Sequence, residues 1–384
     1  MTDFRPSDEK QLIDVVAAAM AREEPLELVG GGSKRGYGRK MAAPHRLDLA
    51  AFAGIRLYEP EELVLTAGAA TKLADITAAL TKAGQQLAFE PPDWRHLWNE
   101  TREPTLGGTV ACNLAGPRRV KDGAARDHHL GFHAVSGRAE PFKSGGRVVK
   151  NVTGYDLSKL IAGSFGTLAA IIELTVKVLP APEATRTIVL RGLTDDQARE
   201  AMGVALSGPY EVSGAAHLPG DATMLRLEGH APSVAARGEA LAAALRIFGA
   251  VEIGDYDWSI VRDVRPFAAM KERAIWRVSL APNAGPALAA ALARHLDFKH
   301  FYDWAGGLVW LAVAGADDGG AAAIRAAMPK TGGHATLLRG ADALRDAVAV
   351  FEPLAAPLAA LAARVKASFD PKRILNPGRM YREI

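Results

Sequence analysis

Three glycine-containing turns, each beside a predicted strand, constrain the fold of this chain more than any other feature of its sequence. The first follows the predicted strand 26–29 and reads GGGSK over Gly30–Lys34, and the second reads TLGGTVACNLAGP over residues 105–117. The third, Gly163–Thr167, leads into an apolar predicted strand over residues 168–179. Glycine permits positive φ angles and a close approach of the backbone to a ligand, and successive N–H groups form a nest for phosphate. We therefore expect the three turns to converge on one extended ligand.

The first turn matches neither of two common phosphate-binding motifs. Residues 30–38 read GGGSKRGYG, so the GxGxxG spacing is absent, and no long helix is predicted to follow. The Gly-Lys-Ser/Thr element of a P-loop is also missing. Taken alone, this turn is equally compatible with a flexible surface loop.

Composition excludes several classes of protein. The single cysteine, Cys112, rules out an intramolecular disulfide and a cysteine-based metal cluster built by this chain alone, and it favours a reducing compartment. Forty-six basic and 43 acidic residues are interspersed and give a net charge of +3, which does not indicate a nucleic-acid partner. No apolar stretch has the length of a membrane span, and no signal peptide is predicted. We expect a cytoplasmic protein, with peripheral attachment to the inner membrane through partners left open.

The second half of the chain repeats one order of predicted elements. Residues 187–248 and 274–328 each read as strand, helix, strand, strand and helix, with alanine-rich helices between short strands. This order predicts an α+β domain with antiparallel strands and helices on one face. In the first half, Ser7 and Thr71 are predicted to cap two amphipathic helices.

The three turns, in this order, resemble the FAD-binding domain of the vanillyl-alcohol oxidase (PCMH-type) flavoprotein superfamily. Within it, the chain is most similar to the FAD-binding E subunits of bacterial glycolate oxidases. The resemblance covers residues 26–180 and the last dozen or so residues, whereas the middle third matches only in length and rhythm. The segments that carry it are Gly30–Ser33, Thr105–Gly108, Gly116–Pro117, Gly123–Asp127, Lys150–Leu157, Gly163–Thr167, Phe369–Pro371 and Ile374–Met380.

The resemblance implies an α+β fold in three parts. Residues 1–181 would form a PCMH-type two-lobed FAD-binding domain. Residues 182–345 would form an α+β cap domain with an antiparallel sheet, and residues 346–384 a C-terminal segment that returns to the FAD domain.

The resemblance also implies FAD as the cofactor. Backbone N–H groups of Gly30, Gly31, Gly32, Ser33 and Lys34 would hold its pyrophosphate, and the Lys150–Asp156 motif would lie near the flavin. Ser33 stands where many relatives carry a histidine joined to the flavin, so we expect noncovalent FAD. Cys112 does not fit a cysteinyl-linkage motif and is better explained as a small buried hydrophobe. The other residues expected at the cofactor are Thr105, Gly107, Gly108, Asn113, Gly116, Asp127, Ile171 and Asn376.

The sequence assigns no catalytic residue and no metal ligand. Oxidation of a 2-hydroxy acid needs a base for the hydroxyl proton and a cation for the carboxylate. Several groups are candidates, each with an ordinary structural alternative. The histidines His128, His129 and His133 are candidates for the base or for metal ligands, or they are ordinary surface residues, and the segments Tyr302–Trp304 and His295–His300 form either a pocket rim or a packed strand end. The basic residues Lys143, Arg147 and Lys150 either place positive charge near the flavin or are solvated side chains. The segment Asp257–Phe267 either contacts a partner or belongs to the hydrophobic core.

Three functional hypotheses follow from the resemblance. In the first, the chain oxidises glycolate or a related 2-hydroxy acid to the 2-oxo acid by hydride transfer to FAD, and electrons pass to an iron–sulfur partner subunit. In the second, it is a flavin-carrying scaffold or electron relay, and a sister flavoprotein subunit performs the substrate chemistry. In the third, it is a stand-alone dehydrogenase of another alcohol or sugar acid.

Overall fold

The computed structural model describes residues 2–147, 154–329 and 332–384, which form a mixed α+β structure. The first part of the chain contains ten strands and six α-helices among the described residues. The strands are β1 (Thr2–Phe4), β2 (Leu26–Val29), β3 (His45–Asp48), β4 (Ile55–Glu59), β5 (Val64–Gly68), β6 (Gln85–Gln86), β7 (His129–Ser136), β8 (Pro141–Gly145), β9 (Ala169–Lys177) and β10 (Leu179–Pro180). The helices are α1 (Glu9–Arg22), α2 (Leu73–Lys82), α3 (Leu106–Ala111), α4 (Arg119–Asp122), α5 (Ala125–His128) and α6 (Leu157–Ile161).

Two larger sheets and a small antiparallel pair of β6 and β10 organise this first part. A parallel sheet has the order β1-β3-β2, and an antiparallel sheet has the order β4-β5-β9-β7-β8. Helix α1 covers the parallel sheet because Leu12, Val16 and Ala19 recur on one face and pack with Leu26 and Leu47. The N-cap of α1 is Asp8 rather than the predicted Ser7, since the Asp8 carboxylate accepts a hydrogen bond from the Gln11 N–H group.

The second part is built on one large antiparallel sheet of order β14-β11-β13-β12-β16-β17-β15-β18. The repeated order of strands and helices predicted from the sequence is confirmed, with β14 and β18 as edge strands that the sequence analysis missed. The strands are β11 (Ala184–Arg191), β12 (Val212–Leu218), β13 (Ala222–Gly229), β14 (Val251–Gly254), β15 (Ala274–Ser279), β16 (Asp297–Asp303), β17 (Leu308–Ala314) and β18 (His334–Arg339). The helices that follow α6 are α7 (Asp195–Ser207), α8 (Ala231–Leu245), α9 (Ser259–Arg262), α10 (Gly285–Leu292), α11 (Ala321–Ala326), α12 (Asp342–Ala347) and α13 (Ala356–Phe369).

The two faces of the large sheet have different partners. On β13, Leu225 and Leu227 point to the side of α7 and α8 and join their core cluster. Arg226, between them, points the other way because side chains alternate along a strand. Trp310 of β17 also meets the first part of the chain, since its ring lies 5.4 Å from that of Trp94. This second face therefore packs on the domain that carries the glycine turns.

A buried network of four charges joins the two parts. The Arg226 guanidinium donates to both carboxylate oxygens of Glu90 at 2.9 and 3.0 Å. Arg118 donates to both oxygens of Glu228 at 2.9 and 2.6 Å. Burial alone would raise the pKa of Glu228, but the hydrogen bond from Arg118 and the two guanidinium charges outweigh it and lower that pKa to about 2. The pKa of Glu90 is also lowered, because the Arg226 and Arg118 charges overcome the effect of its burial.

Acid is expected to weaken this interface. A carboxylate whose pKa is lower in the folded state stabilises the fold above its unfolded pKa, and this contribution is lost as the pH falls through the folded value. The Glu228 contribution should therefore disappear between about pH 5 and pH 2, and the Glu90 contribution should also decrease as the pH falls below its unfolded pKa. Denaturant unfolding of the wild type and of Arg226→Met across that range checks this. The difference in unfolding free energy between the two should shrink towards low pH, and a constant difference would contradict it.

The C-terminal segment returns to the parallel sheet. The Leu26 N–H group donates to the Ile374 carbonyl at 2.7 Å, and the Asn376 N–H group donates to the Leu26 carbonyl at 3.0 Å. These bonds place the last residues beside β2, the strand that leads into the first glycine turn. No helix in the described part of the chain combines the length and apolar character of a membrane span.

Candidate functional site

The three glycine turns meet around one cavity, which encloses about 830 Å³ of space, part of it open to solvent. The structure brings all but three of the predicted cofactor residues to its wall. Those at the wall are Gly30, Gly31, Gly32, Ser33, Lys34, Thr105, Gly107, Gly108, Ile171 and Asn376. Wall residues that the sequence analysis did not select include Glu27, Arg35, Ala69, Phe165 and Arg379.

The first turn, residues 30–34, presents mainly backbone atoms to the cavity, and we refer to it as the cradle. A Cβ atom on Gly31 would lie 2.2 Å from the Glu103 carbonyl oxygen and 2.8 Å from the Thr105 methyl group, so no larger residue fits there. Gly32 has a φ of +80°, a value that favours glycine. The N–H groups of residues 30–34 donate to no acceptor in the described part of the chain. This row of free donors is suited to an anion.

Lys34 adds a positive charge to the cradle. Its Nζ atom lies 3.3 Å from the Ser33 hydroxyl, and a Cβ atom on Gly108 would lie 3.8 Å from it. The ammonium group therefore reaches from the first turn to the second. Burial lowers the pKa of Lys34, and no carboxylate among the described residues forms an ion pair with it. An anion in the cavity would supply the missing counter-charge.

The second turn is the start of α3. The Thr105 hydroxyl caps this helix by accepting a hydrogen bond from the Gly108 N–H group at 3.3 Å. A Cβ atom on Gly107 would lie 2.7 Å from both the carbonyl oxygen and the methyl group of Ala69. The glycine thus allows α3 to pack directly against the end of β5.

Two side chains of the C-terminal segment brace the first and third turns. The Asn376 amide accepts a hydrogen bond from the Leu28 N–H group at 2.8 Å and donates to the Phe165 carbonyl at 2.7 Å. The Arg379 guanidinium donates to the carbonyls of Lys34 and Arg35 at 2.9 and 3.0 Å. Arg379 lies inside the C-terminal motif that the sequence analysis quoted, which was the available signal for it.

Three predicted cofactor residues lie outside the cavity wall. The Asn113 side chain accepts a hydrogen bond from the Arg126 N–H group at 2.9 Å. The Gly116 carbonyl accepts one from the Trp304 indole at 3.0 Å, and the Asp127 carboxylate accepts one from the Ala124 N–H group at 2.8 Å. Each has a local structural role, and its contact with a cofactor stays a prediction.

The histidine cluster of the sequence analysis lies away from the cavity. A ring nitrogen of His128 is 2.8 Å from the Asp122 carbonyl, and one of His129 is 2.9 Å from the Ser158 carbonyl. Burial lowers the pKa of both, that of His129 to about 4. The Nε2 atom of the third histidine, His133, lies 3.3 Å from a carboxylate oxygen of Glu9. Within residues 2–147, 154–329 and 332–384, no group of three potential ligands is arranged to hold a metal.

The remaining residues that the sequence analysis considered for the active site have structural positions in the fold or lie outside the cavity. Tyr302, Asp303 and Trp304 are buried at the end of β16, and Trp258 and Phe267 are core residues. Neither Lys143 nor Arg147 lines the cavity, and the predicted Lys150–Thr153 part of the flavin-proximal motif falls outside the described residues.

Cys112 lies at the cavity wall, is partly buried and packs against a hydrophobic core cluster, as a small apolar side chain would. Burial raises the pKa of its thiol to about 11. The group is thus protonated and unreactive at neutral pH.

Comparisons with known proteins define the class. Residues 3–144 match the family described as FAD binding domain. The 4-ethylphenol oxidase from Gulosibacter chungangensis, solved with isoeugenol, superposes with a TM-score of 0.74 over 99% of this chain and 88% of its own at 12% identity. A p-cresol methylhydroxylase solved with its substrate superposes with a TM-score of 0.72 over 98% of this chain and 88% of its own, at 14% sequence identity. The superpositions show that this chain shares the fold of these two enzymes, and the match over residues 3–144 shows an FAD-binding domain within it.

The sequence comparison is more specific. The glycolate oxidase subunit GlcE of Escherichia coli (strain K12) is 36% identical over 374 residues, which are 97% of each chain. The glycolate oxidase subunit GlcD of Bacillus subtilis (strain 168) is 33% identical over 131 residues, or 34% of this chain and 26% of its own. The chain belongs to the family of the glycolate oxidase subunit GlcE. The predicted PCMH-type α+β fold, the FAD cofactor and the class of FAD-dependent oxidoreductase are thereby confirmed.

Proposed function

We propose that the cavity binds FAD noncovalently, with the pyrophosphate on the first turn. The free N–H groups of Gly30–Lys34 and the unpaired Lys34 ammonium group are the observations that support this placement. Ser33 has no nucleophilic ring nitrogen for a covalent bond to the flavin. When bound, FAD supplies the hydride acceptor of the reaction. Thr105, Gly107 and Gly108 would contact the cofactor from the second turn, and Ile171 from β9.

The proposed reaction is oxidation of glycolate, or of a related 2-hydroxy acid, to the 2-oxo acid. The substrate loses its hydroxyl proton to a base and a hydride from the carbinol carbon to the cofactor. The similarity to GlcE over 97% of both chains is the observation that carries this proposal. Since the chain has one cysteine, electrons would leave for an iron–sulfur subunit, with a sister flavoprotein subunit also in the complex. We place this complex in the cytoplasm, with any membrane contact made through partners.

We also propose the three-part division of the chain at residues 181/182 and 345/346. The sheet order supports it, since the strands before residue 181 and those after residue 183 never share a sheet among the described residues. The bonds of the C-terminal segment to β2 support its return to the first domain.

A second candidate function is an electron relay whose sister subunit holds the substrate. One observation favours it: the described residues of the cavity wall include no histidine, and Glu27 is their only carboxylate. That carboxylate is held by Arg35 through two hydrogen bonds of 2.7 and 2.5 Å. Both carboxylate oxygens are thus engaged by the guanidinium, which leaves Glu27 poorly placed to take a proton from a substrate.

Anaerobic titration separates the two functions. The purified, FAD-loaded chain is mixed with glycolate and, in parallel, with D-lactate, and the visible flavin absorbance is recorded. Bleaching of the isolated chain by either acid supports oxidation at this flavin. Bleaching that requires added partner subunits supports the relay. A chain that stays oxidised in both settings would contradict both functions.

A further inference from the structure

The Arg277 side chain lies at the interface between the two parts of the molecule, and no carboxylate of the described residues pairs with it. Arg277 is on β15, directly across from Trp310 of β17. Cross-strand partners project from the same face of a sheet, and Trp310 contacts Trp94 of the first domain on that face. The guanidinium is partly buried. In the described part of the chain it forms no hydrogen bond and no ion pair, and burial lowers its pKa more than the Tyr37 and Asp303 groups raise it.

The surrounding charges do not neutralise Arg277. The Asp303 carboxyl accepts a hydrogen bond from the Trp304 N–H group at 2.7 Å instead. Burial raises the pKa of Asp303 to about 7, so this carboxyl holds its negative charge less firmly than an exposed aspartate does. A second guanidinium, that of Arg119, is also without a hydrogen bond or ion pair among the described residues.

Trp304 brings the two arginines together. The guanidinium carbon of Arg119 lies 4.4 Å from a ring centroid of Trp304, and that of Arg277 lies 5.0 Å from one. The indole is itself anchored to the first domain through the Gly116 carbonyl at 3.0 Å. Each cation–π contact is favourable, but two like charges at one ring repel each other. An anion between them would relieve the repulsion and satisfy the free N–H groups.

A row of aromatic side chains connects Arg277 to the wall of the cofactor cavity. Tyr37, which follows the first glycine turn, has its ring 5.0 Å from that of Phe165 at the cavity wall. Burial raises the pKa of Tyr37 to about 12, and the nearby Arg277 charge acts in the opposite direction. The Tyr37 ring lies 6.1 Å from that of Trp94, which contacts Trp310, the cross-strand neighbour of Arg277. Contacting aromatic rings thus lead from the cavity wall to the strand pair that carries Arg277.

We propose that Arg277, assisted by Arg119 across the Trp304 ring, binds the carboxylate of the 2-hydroxy acid substrate. This inference rests on the proposed function, since it assumes that the substrate is oxidised on this chain. The guanidinium fork matches a carboxylate with two parallel hydrogen bonds, which an ammonium group does not provide. Arg277 is thus the cation that the sequence analysis required and did not assign.

Direct binding of oxalate tests the subsite, because oxalate has the carboxylates but no hydride to lose. Calorimetry on the FAD-loaded chain should show binding that Arg277→Gln weakens by about 10- to 100-fold, the effect of losing hydrogen bonds to a charged group. Arg277→Lys should give an intermediate affinity, and Arg119→Gln a smaller loss because Arg119 is exposed. Arg191→Gln is the matched control, since Arg191 forms only exposed ion pairs with Asp221 and Glu252.

Three outcomes would overturn the subsite: no oxalate binding by the wild type, an unchanged affinity in Arg277→Gln, or loss of FAD from that variant. Inorganic phosphate that binds as tightly as oxalate and competes with it would also overturn it, because the site would then bind anions in general.

Glycolate reduction separates this inference from the proposed function. If Arg277-dependent oxalate binding occurs in a chain that glycolate never reduces, the subsite is supported and the oxidation is not. If Arg277→Gln oxidises glycolate with an unchanged KM, the oxidation is supported and the subsite is overturned.

Discussion

Replacement of Gly31 by valine is expected to abolish FAD binding. A Cβ atom at this position would lie 2.2 Å from the Glu103 carbonyl oxygen, which is backbone and cannot rotate away as a side chain could. Valine adds two methyl groups to that clash. The first turn would have to move, and its row of N–H donors would no longer face the pyrophosphate. The flavin absorbance of the purified variant, relative to its protein absorbance, measures the loss.

The control for this variant is Gly203→Ala. Gly203 lies in α7, and no atom stands within 4 Å of the Cβ that alanine would add. Alanine in a helix is favoured over glycine by about 0.5–1 kcal/mol, so the control should be as stable as the wild type or more so, with full FAD. The circular dichroism of Gly31→Val should stay native, because the defect is local. A Gly31→Val chain that retains stoichiometric FAD would contradict the pyrophosphate assignment.

Replacement of Lys366 by methionine is expected to have the largest effect on stability. Lys366 is fully buried, and its ammonium group donates to the Asp370 carboxylate at 2.7 Å. It also donates to the carbonyls of Thr167 at 2.6 Å and Leu375 at 2.8 Å. Methionine would leave a buried carboxylate without its cation and two carbonyls without a donor. Loss of one partner of a buried ion pair costs about 3–5 kcal/mol in the free energy of unfolding.

The same substitution should also weaken FAD binding. Thr167 follows Gly166 of the third turn, and Leu375 precedes Asn376, and both Gly166 and Asn376 line the cavity. The control is Lys372→Met, in the same segment, whose ion pair with Glu23 is exposed. An exposed pair contributes about 1 kcal/mol or less. Equal unfolding midpoints for the two variants in denaturant titrations would contradict the role assigned to Lys366.

The glycine turns were predictable because their requirements are local. A run such as GGGSK after an apolar strand marks a backbone that approaches a ligand, and Gly31 meets that description in the structure. The repeated strand and helix order of the second half was predictable for a similar reason, since hydrophobic periodicity is a local property. The resemblance then supplied the cofactor, which neither property gives alone.

Features that depend on tertiary contacts were not predictable in this way. Thr71 was expected to cap α2, but its hydroxyl donates to the Gly68 carbonyl at 2.7 Å and accepts from the Gly54 N–H group at 2.9 Å. It fastens two loops, and α2 begins without a side-chain cap. The pairs Arg118–Glu228 and Arg226–Glu90 each join residues that are more than a hundred positions apart in the chain.

Arg277 is the clearest case of a site that sequence patterns do not reveal. It has no sequence motif, and its position follows only from the register of β15 against β17 and from the packing of that sheet face on the first domain. The same holds for Glu27, the only carboxylate among the described residues of the cavity wall, because its ion pair with Arg35 is visible only in the structure.

The most direct test of the account is the flavin released when the purified chain is denatured with acid. The cradle of free N–H groups, the unpaired Lys34 and the serine at position 33 predict that FAD appears in the supernatant at one molecule per chain, with no flavin left on the precipitated protein. Flavin that stays on the precipitate, or a chain that carries none after incubation with FAD, would contradict the proposed noncovalent site.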